Sequence, residues 1–168
     1  MPLILPYKNI MPTIADDVFI ADNATIIGDV HIGAGSNIWF GCVIRGDVCP
    51  IRIGERTNIQ DGTIVHVTRK VGPTNIGSGV TVGHSALLHA CTLEDDCFVG
   101  MGAIIMDGAV VESGAMLAAG ALLAPNKQIP SGQLWAGNPA KYFRELRQKE
   151  ADFIPISAQN YVELSKEY

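Results

Sequence analysis

The chain has 168 residues, with 12 Lys and Arg against 17 Asp and Glu, for a formal charge of −5. Hydrophobic residues make up 48%, aromatic residues 7% and charged residues 17%, where an average soluble domain has roughly 25% charged. That apolar content excludes intrinsic disorder, the acidic balance argues against duplex nucleic acid, and the length suits one domain with or without a tail.

The opening MPLILPYKNIMP has no charged n-region and no unbroken apolar run. It reads as a lead-in strand over residues 1–13, not a signal peptide. A strict step of six then begins. Aliphatic residues stand at Ile14, Ile20, Ile26, Ile32, Ile38 and Ile44, then at Ile53, Ile59 and Val65, then at Ile76, Val82 and Leu88. After one step of five the ruler continues at Leu93, Val99, Ile105, Val111, Leu117, Leu123, Ile129 and Trp135. Small or β-branched residues recur four places later, among them Ala24, Ser36, Cys42, Ala86, Cys97 and Ala103. Six fits neither the 3.6 period of a helix nor the alternation of a simple strand. It fits a hexapeptide repeat, in which a short strand and a turn alternate. The expected fold is therefore all-β: a single-stranded left-handed parallel β-helix over 14–136, three hexapeptides to a coil. Stacked coils lie about 4.8 Å apart, which gives a prism roughly 30 Å long.

Val71–Leu93 carries no Asp, Glu, Lys or Arg, but Gly72, Pro73, Asn75, Gly77, His84 and His89 break its hydropathy. No membrane span is expected there. Past Trp135 the repeat stops, and residues 137–168 read as a helical segment packed on the prism. Asn138 and Pro139 suit the N-cap and first position of a helix over about 140–150. Pro155 would end it, and Ser157 would cap a second short helix with Tyr161 and Leu164 on one face.

The ruler breaks twice, with nine residues from Ile44 to Ile53 and eleven from Val65 to Ile76. Both breaks predict loops. Near them lie three of the four histidines, His66, His84 and His89, while His31 is distant. His66 follows Val65 and His89 follows Leu88, three hexapeptides apart if the loop is extruded. That register stacks the two imidazoles on one face of adjacent coils, with Arg45 in the same column one coil earlier. His84 leaves from another face, above Asp61. Two imidazoles make half a metal site, and a closed ring of three prisms would bring His84 of a neighbour to the pair. Three neutral imidazoles with an open fourth position are the arrangement expected of a catalytic zinc.

Four cysteines show no CxxC pair, which suits a reducing, cytoplasmic setting. Cys42 and Cys97 fall on inward small positions; Cys49 and Cys91 lie in or near the loops. Arg45, Arg52, Arg56, Arg69 and Lys70 cluster ahead of a stretch without Lys or Arg, as an anion-attracting patch or simply a solvated face.

Arg45-Gly46-Asp47, Asn58-Ile59-Gln60-Asp61-Gly62, His66, Val82-Gly83-His84, His89 and Gly137-Asn138-Pro139 together resemble the γ-class carbonic anhydrases, in particular their bacterial YrdA/PaaY/CaiE-like branch. The resemblance runs from about Pro6 to Tyr168. It implies a homotrimer that hydrates CO₂ to bicarbonate, a carbonate dehydratase with zinc, or iron or cobalt, at each subunit interface. By it, His66 and His89 come from one chain and His84 from the next. Gln60 would orient the reacting groups, Arg45 and Asp47 would form an interface salt bridge, and Tyr161 would lie near the site. Asp61 fits the carboxylate that usually supports a metal-bound histidine. The family's loops often carry glutamates for proton export, whereas here they read Asp47-Val48-Cys49-Pro50 and Thr68-Arg69-Lys70-Val71-Gly72-Pro73. Two other functions suit the same scaffold: an acyl-CoA transferase or thioesterase, and a metal-stabilised trimer without catalysis.

Overall fold

The computed structural model describes residues 1–168. The chain winds into a parallel β-helix of about seven turns with one C-terminal helix. The ruler residues form three stacked columns. One runs Ile26, Ile44, Val65, Leu88, Ile105 and Leu123. A second runs Ile20, Ile38, Ile59, Val82, Val99, Leu117 and Trp135. The third runs Ile14, Ile32, Ile53, Ile76, Leu93, Val111 and Ile129. Every expected position is therefore placed. All are buried except Ile14, Ile20 and Trp135, which sit at the prism ends. The small residues four places on, from Ala24 to Ala121, fill the interior beside the columns.

Tight corners set a second sequence requirement. A Cβ on Gly100 would stand 2.3 Å from the backbone nitrogen of Ala119 and 2.7 Å from the carbonyl carbon of Ala118. Neither backbone atom can move without parting two coils. Gly100→Ala is expected to cost about 1–3 kcal/mol by overpacking, read as a lower urea midpoint at unchanged m-value.

The first break in the ruler does not extrude a loop. Val43–Ile53 is one strand, paired with Thr25–Ile32 on both sides of a register shift between Gly28 and Val30. The surplus, residues 47–50, bulges opposite Asp29. Gly28 and Gly46 permit this close crossing, since a Cβ on Gly46 would lie 2.4 Å from the Asp29 carbonyl oxygen. Bulges re-aim side chains, and this one turns Asp47 toward His66. The second break is extruded as expected, between Ile64–His66 and Thr74–Ile76, and is pinched by a bridge from Thr68 to Gly72. At the front, Leu3–Leu5 adds in parallel to Thr25–Ile27.

The tail differs from the expected pair of helices. Lys141–Glu145 is a strand, antiparallel to Gln133–Ala136. The last coil presents an open edge, and the returning strand covers it. That gain outweighs the local helix preference of the segment. A single helix, α1, spans Gln148–Leu164 with Pro155 inside it. Glu150 sets its start: it accepts the Arg147 backbone N–H at 2.8 Å and both Arg144 guanidinium nitrogens at 2.7 Å. Arg144 first, and that N–H second, hold the Glu150 carboxyl down at about 2. Ser157 caps nothing. It is buried in mid-helix and receives a hydrogen bond from Thr81 Oγ1 at 3.2 Å. With Trp39 edge-on to Tyr161 at 5.5 Å, this contact locks α1 across the second column. No helix is long and apolar enough to cross a membrane.

Candidate metal centre

The register places His66 and His89 as direct strand partners. Their ring centroids lie 5.2 Å apart, and His66 Nδ1 is 3.2 Å from His89 Nε2. Each ring turns its other nitrogen to a carboxylate. His66 Nε2 is 3.0 Å from Asp47 Oδ1, and His89 Nδ1 is 2.6 Å from Asp107 Oδ1. Burial works against ionising Asp47, but hydrogen bonds from His66 and Arg45 prevail, so its pKa falls below the ordinary value. At Asp107, burial is likewise outweighed by the Thr68 hydroxyl and His89. Both carboxylates are thus ionised and can only accept hydrogen bonds. The imidazole nitrogens facing them are placed to donate, and His66 Nδ1 and His89 Nε2 face each other.

Two ring nitrogens 3.2 Å apart can share a proton or hold a metal ion between them. Two imidazoles bound to one tetrahedral zinc, each at about 2.05 Å, stand about 3.3 Å apart. The observed pair fits that donor set. The carboxylates behind it also have the usual supporting place around metal-bound histidine.

His84 stands apart, in the turn after the second column, with its Nδ1 2.8 Å from Asp61 Oδ2. Its side chain is 42% exposed, so it can meet a partner. Within the chain no three His, Cys, Asp or Glu side chains converge on one point. This agrees with the register, which puts His84 on a different face from His66 and His89. Beside His84 opens a hollow of about 340 Å³ that Gln60 and Tyr161 also line, closed by Phe98, Met101, Met116 and Phe153. Gln60 is buried, and its amide nitrogen donates to Asn58 Oδ1 at 3.0 Å. Asn58 is anchored in turn on Thr81 Oγ1 at 2.9 Å. Burial first, and the charge of Asp61 second, push the Tyr161 phenol above its ordinary pKa, so it stays a hydrogen-bond donor.

The predicted residues therefore form two groups. Arg45, Asp47, His66 and His89 make one, with Arg45 Nη1 bonded to Asp47 Oδ2 inside the chain. Gln60, Asp61, His84 and Tyr161 make the other. Asp107, Thr68 and Asn58 belong to these groups without having been expected. A hollow of about 260 Å³ next to Asp47 is lined by Tyr7, Lys8, Arg69 and Lys70. The rest of the anticipated basic cluster disperses: Arg52 pairs with Asp29 at 2.7 Å, and Arg56 lines a hollow of about 460 Å³ by the end of α1, away from both groups. All four cysteines are free. Cys42 and Cys97 are buried as expected, and Cys91 proves buried too. Burial pushes the Cys42 thiol up to about 11 and the Cys91 thiol up to about 12, and Cys97 higher still. These three thiols are inert packing groups.

Fold and site define a hexapeptide-repeat β-helix that displays His66 and His89 on one outer face and His84 on another. The family described as bacterial transferase hexapeptide (six repeats) matches residues 11–46. The carbonic anhydrase of Geobacillus kaustophilus is 45% identical, over 99% of this chain and 91% of its own length. The mitochondrial γ carbonic anhydrase 2 of Arabidopsis thaliana is 56% identical over 92% of this chain. This alignment spans only 58% of the plant protein. Among solved structures, a hexapeptide transferase family protein from Anaplasma phagocytophilum superposes with a TM-score of 0.96 at 52% identity, covering 99% of this chain and 98% of that one. The chain belongs to the γ-class carbonic anhydrase family.

Proposed function

We propose that the protein is a carbonic anhydrase, catalysing the reversible hydration of CO₂ to bicarbonate at sites shared between subunits of a homotrimer. His66 and His89 of one subunit and His84 of the next would hold zinc, with iron or cobalt as alternatives suited to the same imidazoles. The observation that carries this reading is the pair of facing ring nitrogens 3.2 Å apart, backed by carboxylates on both outer sides. Relatives named as carbonic anhydrases support it. Zinc bound there would lower the pKa of water to about 7 and so supply a nucleophile for CO₂ at neutral pH.

The chain's own residues supply the rest. Gln60 has its amide nitrogen committed to Asn58, so it presents its carbonyl oxygen as a fixed acceptor beside His84. Tyr161 adds a donor at the same hollow. Arg45 keeps Asp47 ionised, and Asp47 keeps the His66 proton on Nε2. Without loop glutamates, proton export falls to solution buffer or to groups such as Tyr161. Four free thiols suit the reducing cytoplasm.

The test is the metal content of the purified protein together with CO₂ hydration, followed with a pH indicator. About one zinc or iron per subunit and hydration above background are expected. Metal-free protein that binds coenzyme A tightly would instead favour acyl transfer, the class in the Anaplasma protein's name. Metal whose removal splits the trimer, with every assay silent, would leave a structural role.

A further inference from the structure

The two carboxylates behind the histidine pair have different origins. Asp47 lies in the bulge of the strand that precedes His66 in the stack, whereas Asp107 lies at the corner after Ile104–Ile105, one coil beyond His89. His89 Nδ1 sees only acceptors: Asp107 Oδ1 at 2.6 Å and the Thr68 hydroxyl oxygen at 3.3 Å. Thr68 spends its own proton on Asp107 Oδ2, so that hydroxyl has only a lone pair left for the imidazole. Thr68 also anchors the pinch of the extruded loop. Loop, carboxylate and histidine thus form one hydrogen-bonded unit.

We propose that Asp107, held by Thr68, is the positioning residue of His89. It keeps the His89 proton on Nδ1 and turns the bare Nε2 toward Nδ1 of His66, making the half-site ready for a metal. A free neutral histidine has no such constraint, since the hydrogen bond made by one ring nitrogen decides which atom carries the proton. Loss of Asp107 lets His89 take the opposite tautomer or rotate, and a protonated Nε2 cannot bind a metal. The inference rests on the metal-site reading of His66 and His89, but the tautomer belongs to the chain alone and can be read without metal.

The experiment uses the full chain in two forms. Metal-free wild type and Asp107→Ala are compared by two-bond ¹H–¹⁵N correlation of the histidine rings, above the pH at which the rings are neutral. Wild-type His89 is expected as the Nδ1–H tautomer, and Asp107→Ala is expected to lose that preference. Zinc affinity, measured by competition with a chelator, is then expected to fall about 10–100-fold in the variant. Asp107→Glu should regain part of the loss, and thermal midpoints of the metal-free proteins should agree. An Nε2–H tautomer in the wild type, or wild-type zinc affinity in Asp107→Ala, would overturn the proposal. If Asp107→Ala does not fold, Asp107→Leu fills the space without an acceptor, and undiminished zinc affinity there would overturn it equally. A wild type that binds no zinc would sink the metal reading, while the tautomer of His89 would still decide the role of Asp107.

Discussion

Neither His84→Ala nor His66→Ala subunits are expected to hydrate CO₂ alone, yet an equal mixture of the two, unfolded and reassembled together, is expected to regain activity. The expectation follows from where the side chains stand. His66 and His89 share one face of the prism, His84 another, and no three candidate ligands meet within a chain. The proposed shared site would take its pair from one subunit and its third imidazole from the next. The His84→Ala chain still offers an intact pair, and the His66→Ala chain still offers His84. In a closed ring of three, random assembly leaves about three in four rings mixed, and each mixed ring has one intact site of three, so about a quarter of wild-type activity returns. Both side chains are partly exposed, at 42% for His84 and 20% for His66, and each meets a carboxylate, so circular dichroism of each variant checks that loss of activity is not loss of fold. Absence of any recovery, with mixed trimers demonstrated by mass, would refute the shared site.

Much of this geometry is readable from spacing because a β-helix is unusual among β folds. Its strand partners lie about one coil apart in the chain, so register is local: His66 meets His89, and Asp61 meets His84, by counting alone. Counting fails where a residue leaves the hexapeptide frame. Asp107 precedes Gly108 at a corner, and an Asp-Gly pair there reads equally well as plain turn chemistry. Only the folded corner brings it to His89. The stretch 47–50 looked like a loop because its surplus residues break the step, but two facing glycines let the strand continue as a bulge. Residues 141–145 looked helical because helix caps are local signals. The open edge that recruited them as a strand exists only once seven coils have stacked. Cys91 lies near the extruded loop, where its carbonyl accepts the Asn75 N–H, and the single five-residue step before Leu93 turns its side chain into the core.

Leu88→Ala and Leu123→Ala are expected to lower stability by similar amounts and to differ in what happens to the proposed metal site. Both side chains are fully buried in the same column, with Leu88 between Val65 and Ile105 and Leu123 one coil beyond Ile105. Truncating a buried leucine costs about 2–5 kcal/mol, depending on how far the cavity collapses. A narrow prism of stacked coils has few ways to collapse, which favours the upper part of that range. Leu88, however, is the residue before His89 and stacks on Val65, the residue before His66, so its packing supports both coils that carry the imidazoles. Loosening it lets the 3.2 Å separation of the facing ring nitrogens drift, so zinc affinity is expected to fall about tenfold or more, as it does when the support of a ligand is lost. Leu123 supports no ligand, and its variant should bind zinc as the wild type does. Denaturant titrations of the metal-free proteins at one subunit concentration, paired with chelator competition, separate the two effects. Equal zinc affinities at equal destabilisation would mean that the core sets only the fold, leaving the carboxylates as the sole determinants of the histidine geometry.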